Sequence, residues 1–277
     1  MNDLVKTAAN EKVLNNLIDK LAAGVSWFAT RETPNKIAVE TYIDEIKKRD
    51  LDPISKAALI SNARKIIKEY CNQNDIVNIA IQSLRNTAKP EDVENDWLSR
   101  FMDKARLVSS KEFQLIWGKI LARECNEPGS IPMALMYTLE KMDREDAESF
   151  TALCRIAVQL DGELSPVVIE SKIDEYEKLI GITFDRLVSL NSLGLIQMSF
   201  GLPMSAYALT TKNAHSKVVY YDKNYDIGDK NQIDVGNVIF TKSGQALCQA
   251  IDTEIVDGFW ETYCLPLWKK DTKVTPD

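Results

Sequence analysis

The spacing most suggestive of a ligand site is an acidic run at residues 222–229, Asp222-Lys223-Asn224-Tyr225-Asp226-Ile227-Gly228-Asp229. Oxygen-bearing side chains at its first, third and fifth positions follow the alternation of a calcium-binding loop. The pattern then fails, because the sixth position, which requires glycine, is Ile227 and the twelfth, which requires a bidentate glutamate, is Ile233. The run is therefore predicted to be a polar hairpin tip or wing, and no metal or other cofactor is expected.

Nucleophilic catalysis and phosphate binding have little support in the sequence. The chain holds one histidine, His215, so a multi-histidine metal site is excluded and any histidine-based triad would depend on this residue. No serine lies in a G-x-S-x-G elbow, and the 11 glycines form no phosphate-binding loop. His215 is predicted to be an exposed loop or strand residue, and the chain is not expected to be an enzyme.

Other chemically capable side chains have structural explanations. Three carboxylates, Asp92, Glu94 and Asp96, immediately precede an apolar helix, where negative charge is favourable at the positive end of the helix dipole. Four charged residues are expected to form helix-face ion pairs: Asp103, Lys104, Arg123 and Glu124. Five widely spaced cysteines without a C-x-x-C pair argue against a disulfide framework: Cys71, Cys125, Cys154, Cys248 and Cys264. Each is predicted to be a buried or half-buried small hydrophobe.

The composition indicates what kind of protein carries these residues. A chain of 277 residues with 45% hydrophobic side chains can bury a substantial core, in one large domain or two modest ones. The net charge of -7 provides no global positive field for binding phosphate backbones. The apolar run Leu21 to Ala29 is less than half of the roughly 20 residues that a membrane span needs, and the first residues do not resemble a signal peptide. The cytoplasm is the expected compartment.

Helical periodicity fills residues 1–90, the predicted N-terminal helical region. The predicted helices run from Glu11 to about Phe28, from Pro34 through Ile46, from Asp52-Pro53 through Ile67, and from Asp75 to about Thr87. The turn Lys89-Pro90-Glu91-Asp92 marks the first junction. The segment Leu14 to Phe28, with Lys12, Lys20 and Arg31 nearby, is a candidate for lying on a membrane surface, although packing against the next helices or a second copy is more economical.

An aromatic-rich helical block is predicted at residues 91–160. Trp97, Phe101 and Ala105 place an apolar face on a helix from about Val93 to Arg106. Ser109 and Glu112 have the spacing of a capping box at the start of the next helix. Ser130 and Asp143 are predicted to cap two further helices, the second of which carries Phe150, Cys154, Ala157 and Val158 on one face. The outward side of the block is a candidate partner face: Arg100, Lys104, Gln114, Lys119 and Arg123.

After Asp161-Gly162 the pattern changes to short helices followed by strands. The predicted elements are helices at 175–180 and 183–193, strands at 196–200, 207–210, 217–221 and 238–241, and a helix from about Ser243. This order predicts a winged-helix-like module at 161–258, with a tail at 259–277 whose tryptophans pack back on the body. The predicted fold class is therefore mainly α, with a helical N-terminal and central region and a C-terminal winged-helix-like α+β module.

The predicted second helix of that module would be its recognition helix. Its candidate contacts to DNA or to a partner are Arg186, Ser189, Asn191 and Ser192. Eight basic and nine acidic residues lie between Glu170 and Ala250, a near-neutral balance that gives weak support to phosphate contacts. Protein interaction is therefore favoured over DNA binding for this module.

Several motifs together resemble a bacterial family known as domain of unknown function 2806, from about residue 10 to about residue 255. The resemblance rests on the runs at 97–105, 114–124, 128–130 and 146–150, and on a closing pattern of Gly194-Leu195-Ile196, Leu209-Thr210 and Phe240-Thr241-Lys242-Ser243-Gly244. It implies a bacterial or prophage-linked cytosolic protein, with a loose association with phage conflict. The family has no established activity, so the resemblance adds little about mechanism.

Three functions follow as hypotheses. The first is a non-enzymatic interaction or assembly protein that binds another protein or itself. The second is a DNA-binding transcriptional regulator acting through the winged-helix-like module. The third is a membrane-active defence effector acting through its N-terminal amphipathic helix. The sequence names neither the partner nor the oligomeric state.

Overall fold

A computed structural model describes residues 11–24, 36–201 and 206–270 of the chain. The chain divides into two compact units, residues 1–133 and 134–277. Helices dominate the described residues and short antiparallel strands make up the rest, so the prediction of a mainly α fold is confirmed. The finer boundaries near residues 90, 160 and 258 stay predictions. In the described part of the chain, no helix is both long enough and apolar enough to cross a membrane.

The first unit is helical. Its helices are α1 (Glu11–Gly24), α2 (Lys36–Lys48), α3 (Pro53–Gln82), α4 (Asn95–Ala105) and α5 (Lys111–Asn126), with a 3-10 turn at Pro90–Asp92. Asp52 caps α3 by accepting hydrogen bonds from the amides of Ile54 and Ser55, as its sequence predicts. The predicted helix start at Pro34 lies outside the described residues, as do Trp27, Phe28 and Arg31 of the candidate membrane segment.

Helix α3 is continuous where the sequence predicts two helices, so that prediction is wrong. The polar residues that interrupt its apolar pattern, Asn72 and Gln73, are buried. Asn72 Nδ2 donates to Arg106 O at 2.8 Å, and Gln73 Nε2 donates to Met102 O at 2.7 Å. These amides bind backbone carbonyls at the end of α4, so they stabilise the packing of α3 against α4.

The core of the first unit is built where α3, α4 and α5 meet. The rings of Trp97 and Phe101 stack with their centroids 5.0 Å apart, and Phe101 meets Trp117 at the same distance. Gly118 lies where α5 crosses α3, and a Cβ added to it would lie 2.5 Å from Ile79 Cγ2. The helices can approach this closely only because residue 118 has no side chain.

Two predictions about α5 are corrected by its surroundings. The capping box of Ser109 and Glu112 is wrong, because α5 is preceded by Ser110, which makes no side-chain capping bond, and Ser109 Oγ instead accepts from Asn72 Nδ2 at 3.3 Å. Glu124 is not on an exposed helix face but buried, and its carboxylate accepts from the amides of Gly129 at 2.7 Å and Ile131 at 2.9 Å. Burial is the main cause that raises the pKa of Glu124.

The second unit combines helices with short strands. Its helices are α6 (Met133–Lys141, whose first residue belongs to the first unit), α7 (Arg144–Cys154), α8 (Ile173–Ile180), α9 (Phe184–Ser192), α10 (Lys242–Cys248) and α11 (Leu265–Lys270). Its strands are β1 (Ala157–Leu160), β2 (Glu163–Pro166), β3 (Ile196–Met198), β4 (Tyr207–Thr210), β5 (Lys217–Tyr220), β6 (Lys223–Asp226), β7 (Gln232–Gly236) and β8 (Val238–Phe240). Asp143 caps α7 in a capping box with Asp146, which confirms the predicted cap. Ala157 and Val158 belong to β1, so their placement on the α7 helix is wrong.

The strands form nested antiparallel pairs. β3 pairs with β8, and β4 pairs with β7. These four strands form the two arms of one long hairpin. The hairpin of β5 and β6 lies between β4 and β7 in sequence, and β5 also pairs with β1, giving a sheet of order β2-β1-β5-β6. Asp222 of the acidic run lies in the turn between β5 and β6, and residues 223–226 form β6, so the run belongs to a hairpin but mostly to its second strand and not to its tip.

The C-terminal segment packs back through its aromatic residues, as predicted. A π-helical turn at Trp260–Cys264 leads into α11, and the side chains of Phe259, Trp260, Tyr263 and Trp268 are buried. Trp268 Nε1 donates to Asp234 O of β7 at 2.8 Å, and its ring lies 5.3 Å from that of Tyr225 on β6. The segment thereby attaches the long hairpin to the rest of the unit.

Candidate interaction surface of helix α9

Helix α9 is positioned by its cap and by two inward leucines. Gly181 ends α8 in the left-handed conformation (φ 72°), and the hydroxyl of Thr183 accepts from the amide of Arg186 at 3.3 Å to begin α9. Leu187 and Leu190 are fully buried, so one side of α9 faces the core of the unit. The predicted helix and its threonine cap are confirmed.

The four candidate contact residues on α9 do not share one accessible face. Arg186 Nη2 lies 3.0 Å from Glu145 Oε1, and its Nη1 donates to Gly181 O at 3.1 Å. Ser189 Oγ donates to Asp146 Oδ1 at 2.6 Å. These two side chains are therefore occupied by α7 and by the turn before α9. Asn191 and Ser192 are exposed near the end of the helix, where the Ser192 hydroxyl donates to Val188 O.

The most accessible apolar side chains of α9 are Phe184 and Val188. Phe184 is 47% exposed and Val188 is 41% exposed. They lie one turn apart on the same side of the helix, and the ring of Phe184 meets that of Phe200 at 5.7 Å between centroids. The sequence does hold a signal for this surface. Four of the nine residues of α9 are large and apolar, which is more than a helix with one buried side needs.

Acidic residues border this apolar pair. Asp185 is exposed beside Phe184, and the side chain of Glu145 keeps 67% of its surface although it pairs with Arg186. Glu148, on the next turn of α7, is 58% exposed and pairs with Arg144. Since Arg186 is the one cation of α9 and is already paired, the outer side of the helix combines apolar and negative character. Such a surface repels a phosphate backbone.

The long hairpin that would serve as a wing is held by contacts within its own unit. Its β5 strand is paired on both sides, by β1 and by β6. Lys223 Nζ lies 2.6 Å from Glu261 Oε1 in the C-terminal segment, so this basic side chain of the hairpin is also engaged. Together with the Trp268 bond to Asp234, these contacts tie both halves of the hairpin to neighbouring elements.

The five residues of the candidate partner face on α4 and α5 are not all exposed, as the prediction requires. Gln114 is 1% exposed, so its predicted outward orientation is wrong; it donates to Val108 O at 2.9 Å and helps to order the α4–α5 connection. Arg100 is half exposed and pairs with Asp96 at 2.9 Å, while Arg123 pairs with Glu127 at 3.3 Å. Lys104 and Lys119 are half-buried. No continuous polar face runs through all five residues.

Polar groups around the long hairpin are explained by loop structure. His215 is exposed, as predicted, and its ring nitrogens lie 3.4 Å from Asp226 and 3.8 Å from Asp229. The Asp161 carboxylate accepts from the hydroxyls of Thr211 and Ser216, which joins the β1–β2 turn to the β4–β5 loop. In the described part of the chain, no three His, Cys, Asp or Glu side chains are grouped so that they could hold a metal ion.

The comparisons with known proteins identify the family of this chain. The sequence model of a family described as "Protein of unknown function (DUF2806)" matches residues 62–262, which is most of the chain. The chain belongs to this family. Searches of curated proteins and of solved structures found no match to it.

The closing pattern on which the resemblance rests has a structural role in this chain. Thr241 Oγ1 accepts from the amide of Gly244 at 3.1 Å and donates to Gly194 O at 2.6 Å. A Cβ added to Gly244 would lie 2.0 Å from Leu195 O, so the start of α10 packs directly on the turn between α9 and β3. These residues hold α9 in place.

Proposed function

We propose that this chain is a non-enzymatic protein-interaction protein, and that its second unit binds a partner protein through the apolar pair Phe184 and Val188 on α9. The observation that carries the proposal is the exposure of two large apolar side chains one turn apart on a helix whose one cation is bound elsewhere. Scattered exposed apolar residues are ordinary, but Phe184 and Val188 lie one turn apart and the Phe184 ring contacts that of Phe200, so together they widen the apolar contact area.

The order of elements supports a winged-helix-like module as the carrier of this surface. Helix α7, strand β2, helices α8 and α9, and strands β3 and β8 come in this order, with β1 before β2 and with β4 to β7 between the paired strands β3 and β8. Strand β2 adjoins β8, where Ser165 Oγ lies 3.4 Å from Val238 O. In such a module α9 has the place of the recognition helix. A fold of this kind serves DNA binding or protein binding according to its surface, so the side chains of α9 decide between the two.

The surface chemistry indicates the kind of partner. The pair Phe184 and Val188 requires an apolar counterpart, and the neighbouring Asp185 and Glu145 favour positive charge around it. An amphipathic segment with apolar residues at helical spacing and flanking lysine or arginine residues meets both requirements. We infer a basic, apolar-faced protein segment as the partner.

Affinity purification from cells that carry the gene naturally tests the proposal. The bait is the full chain, compared with a variant carrying Phe184→Asp and Val188→Asp and with a control carrying Leu115→Asp, a substitution of a 48% exposed leucine on α5. We expect at least one protein to be recovered with the wild type and the control but lost with the double variant. If recovery is the same for all three baits, α9 is not the binding surface.

The alternative functions predict different results. DNA binding would require Asn191 and Ser192, the exposed polar residues of α9, and a mobility shift at low salt that Asn191→Ala weakens. For the membrane hypothesis, α1 already buries Val13, Leu17 and Leu21, so the apolar face of its described part is used in packing. Flotation of the chain with liposomes tests the membrane hypothesis directly. A cytoplasmic location and a role in phage conflict belong to the proposal as its expected setting.

A further inference from the structure

Two of the buried cysteines end neighbouring helices of the second unit. Cys154 is the last residue of α7, and Cys248 is the last residue of α10. Their thiols are in hydrogen-bond contact, and the two residues are 3% and 9% exposed, respectively. A disulfide requires two sulfur atoms that can reach bonding distance with little movement of the backbone, and two thiols already in contact come closest to meeting that requirement.

Contacts on both sides of the thiols hold these two helix ends together. One turn before Cys154, the ring of Phe150 meets that of Phe240 at the end of β8, just before α10, with 5.4 Å between centroids. One residue after Cys154, Arg155 Nε donates to Glu254 O at 3.3 Å, in the segment that follows α10. The neighbouring elements therefore touch before and after the two thiols, and the packing of the unit fixes the contact between them.

The two thiols have different surroundings, which assigns them different roles. The pKa of Cys154 is raised, chiefly by burial and also by its contact with Cys248, so the Cys154 thiol keeps its proton. Cys248 is the more accessible of the two. A small neutral oxidant such as hydrogen peroxide therefore meets Cys248 first, and Cys154 lies where it can react with the oxidised sulfur.

We propose that Cys154 and Cys248 form a reversible disulfide when the protein meets hydrogen peroxide, and that this bond locks the end of α7 to the end of α10. The Cys248 sulfur attacks the O–O bond of the peroxide, which gives a sulfenic acid and a hydroxide that leaves as water with the thiol proton. The Cys154 sulfur then attacks the sulfenic sulfur, so that the S–S bond forms, the S–O bond breaks and a second water leaves with the second thiol proton. The two thiols lose two electrons, and the peroxide is reduced to two waters.

This bond completes a ring of contacts around α9. Helix α7 holds α9 near its own first residues, where Ser189 Oγ donates to Asp146 Oδ1, and the cap of α10 holds the turn after α9, where Thr241 Oγ1 donates to Gly194 O. The disulfide joins the same two helices at their last residues. Because a cross-link also restricts the unfolded chain, the oxidised second unit should be more stable than the reduced one. The proposal concerns the frame that holds α9 and does not depend on partner binding by α9.

Peroxide treatment of the folded full chain tests the disulfide. The starting protein carries Cys71→Ser, which removes the exposed thiol that could link two chains. After mild treatment with hydrogen peroxide and alkylation of the remaining thiols, mass spectrometry of a non-reduced digest should find the peptides of Cys154 and Cys248 joined. Dithiothreitol should separate them again. Thermal unfolding should show that the oxidised chain melts about 5–10 °C higher than the reduced chain.

Variants of single cysteines assign the effect to this pair. Cys154→Ala and Cys248→Ala should each abolish both the joined peptides and the higher melting temperature after peroxide. Each variant is compared with itself before and after treatment, so any loss of stability from the substitution cancels. The matched control is Cys264→Ala, at a third buried cysteine of the same unit, which should leave both effects intact. The proposal is overturned if the treated folded chain keeps Cys154 and Cys248 as separate thiols, links a different pair, or melts no higher than the reduced chain.

Discussion

Arg186 of α9 and Glu145 of α7 form an ion pair with 3.0 Å between Nη2 and Oε1. The pair joins α9, which carries the proposed interaction surface, to α7, and it engages the only cation of α9. The sequence makes Arg186 a candidate contact to DNA, but in the structure its guanidinium is bound within its own unit.

A double-mutant cycle on this pair tests that structural role. Arg186→Ala, Glu145→Ala and the double variant are compared by urea unfolding. Because the Glu145 side chain is 67% exposed, we expect a coupling energy of about 0.5 kcal/mol and no more than about 1 kcal/mol. The coupling should shrink in high salt. Additive effects of the two substitutions would show that the contact has no energetic consequence.

Gly118→Ala should destabilise the first unit. Alanine in the middle of an exposed helix is normally more stable than glycine by about 0.5–1 kcal/mol, so a loss has the opposite sign from helix propensity. A Cβ at this position would lie 2.6 Å from Ile79 Cβ, and the helices must separate to accept it. We expect a net loss of about 1–3 kcal/mol in the free energy of unfolding. Ile79→Ala in the same background should recover part of this loss, whereas a more stable Gly118→Ala chain would contradict the crossing described above.

Thr241→Val should loosen the start of α10 and the turn that follows α9. Valine keeps the shape of threonine but neither caps the Gly244 amide nor donates to Gly194 O. The expected loss is about 1–2 kcal/mol in the free energy of unfolding. Thr241→Ser, which keeps the hydroxyl, is the control and should lose clearly less. A larger loss for Thr241→Ser than for Thr241→Val would mean that the methyl group, and not the cap, stabilises this site.

The stability that Glu124 provides should fall as the pH rises. Its pKa is raised above the ordinary 4.5, chiefly by burial, so the folded chain holds this proton more tightly than the unfolded chain. The contribution is therefore fully present below pH 4.5 and is lost as the pH increases through the raised pKa. Unfolding of the wild type and Glu124→Gln is compared from about pH 4 to about pH 8. The difference between them should shift against the wild type with increasing pH; a constant difference would contradict it.

One thiol of the five should react rapidly with a thiol reagent in the folded chain. Cys71 is exposed, while Cys125, Cys154, Cys248 and Cys264 are buried. Burial raises the pKa of Cys125 to about 12 and raises that of Cys154 as well, so both hold little of the reactive thiolate. Cys71→Ser should abolish the rapid phase, and unfolding should expose the remaining four thiols. Rapid labelling of more than one thiol would contradict the described packing.

Local chemistry made part of this fold predictable. Asp52, Asp143 and Thr183 each cap a helix through a contact within three residues, so the sequence spacing contains the whole interaction. The strand at Tyr207–Thr210 and helix α10, which the sequence predicts from about Ser243, follow from similarly local patterns. The mainly α class follows from helical periodicity.

The errors come from contacts between residues far apart in sequence. The polar interruption at Asn72 and Gln73 resembles a helix end, but carbonyls about thirty residues away bind their amides. Gln114 resembles a surface residue, yet it is buried in the same network. Phe184 and Val188 show the reverse case, since apolar character alone does not reveal that an inward stripe is already filled by Leu187 and Leu190.

The unbroken α3 limits how the length of this chain can vary. Each residue of an α-helix turns the next by about 100°, so one deletion near Ala63 would rotate the whole beginning of α3 relative to its end. The stripe that meets α2 would then face a different direction from the amides that reach Met102 and Arg106. Insertions or deletions of about seven or about eleven residues, close to two or three whole helical turns, keep both faces aligned. Natural length variants within residues 53–82 should therefore differ by about seven or eleven residues.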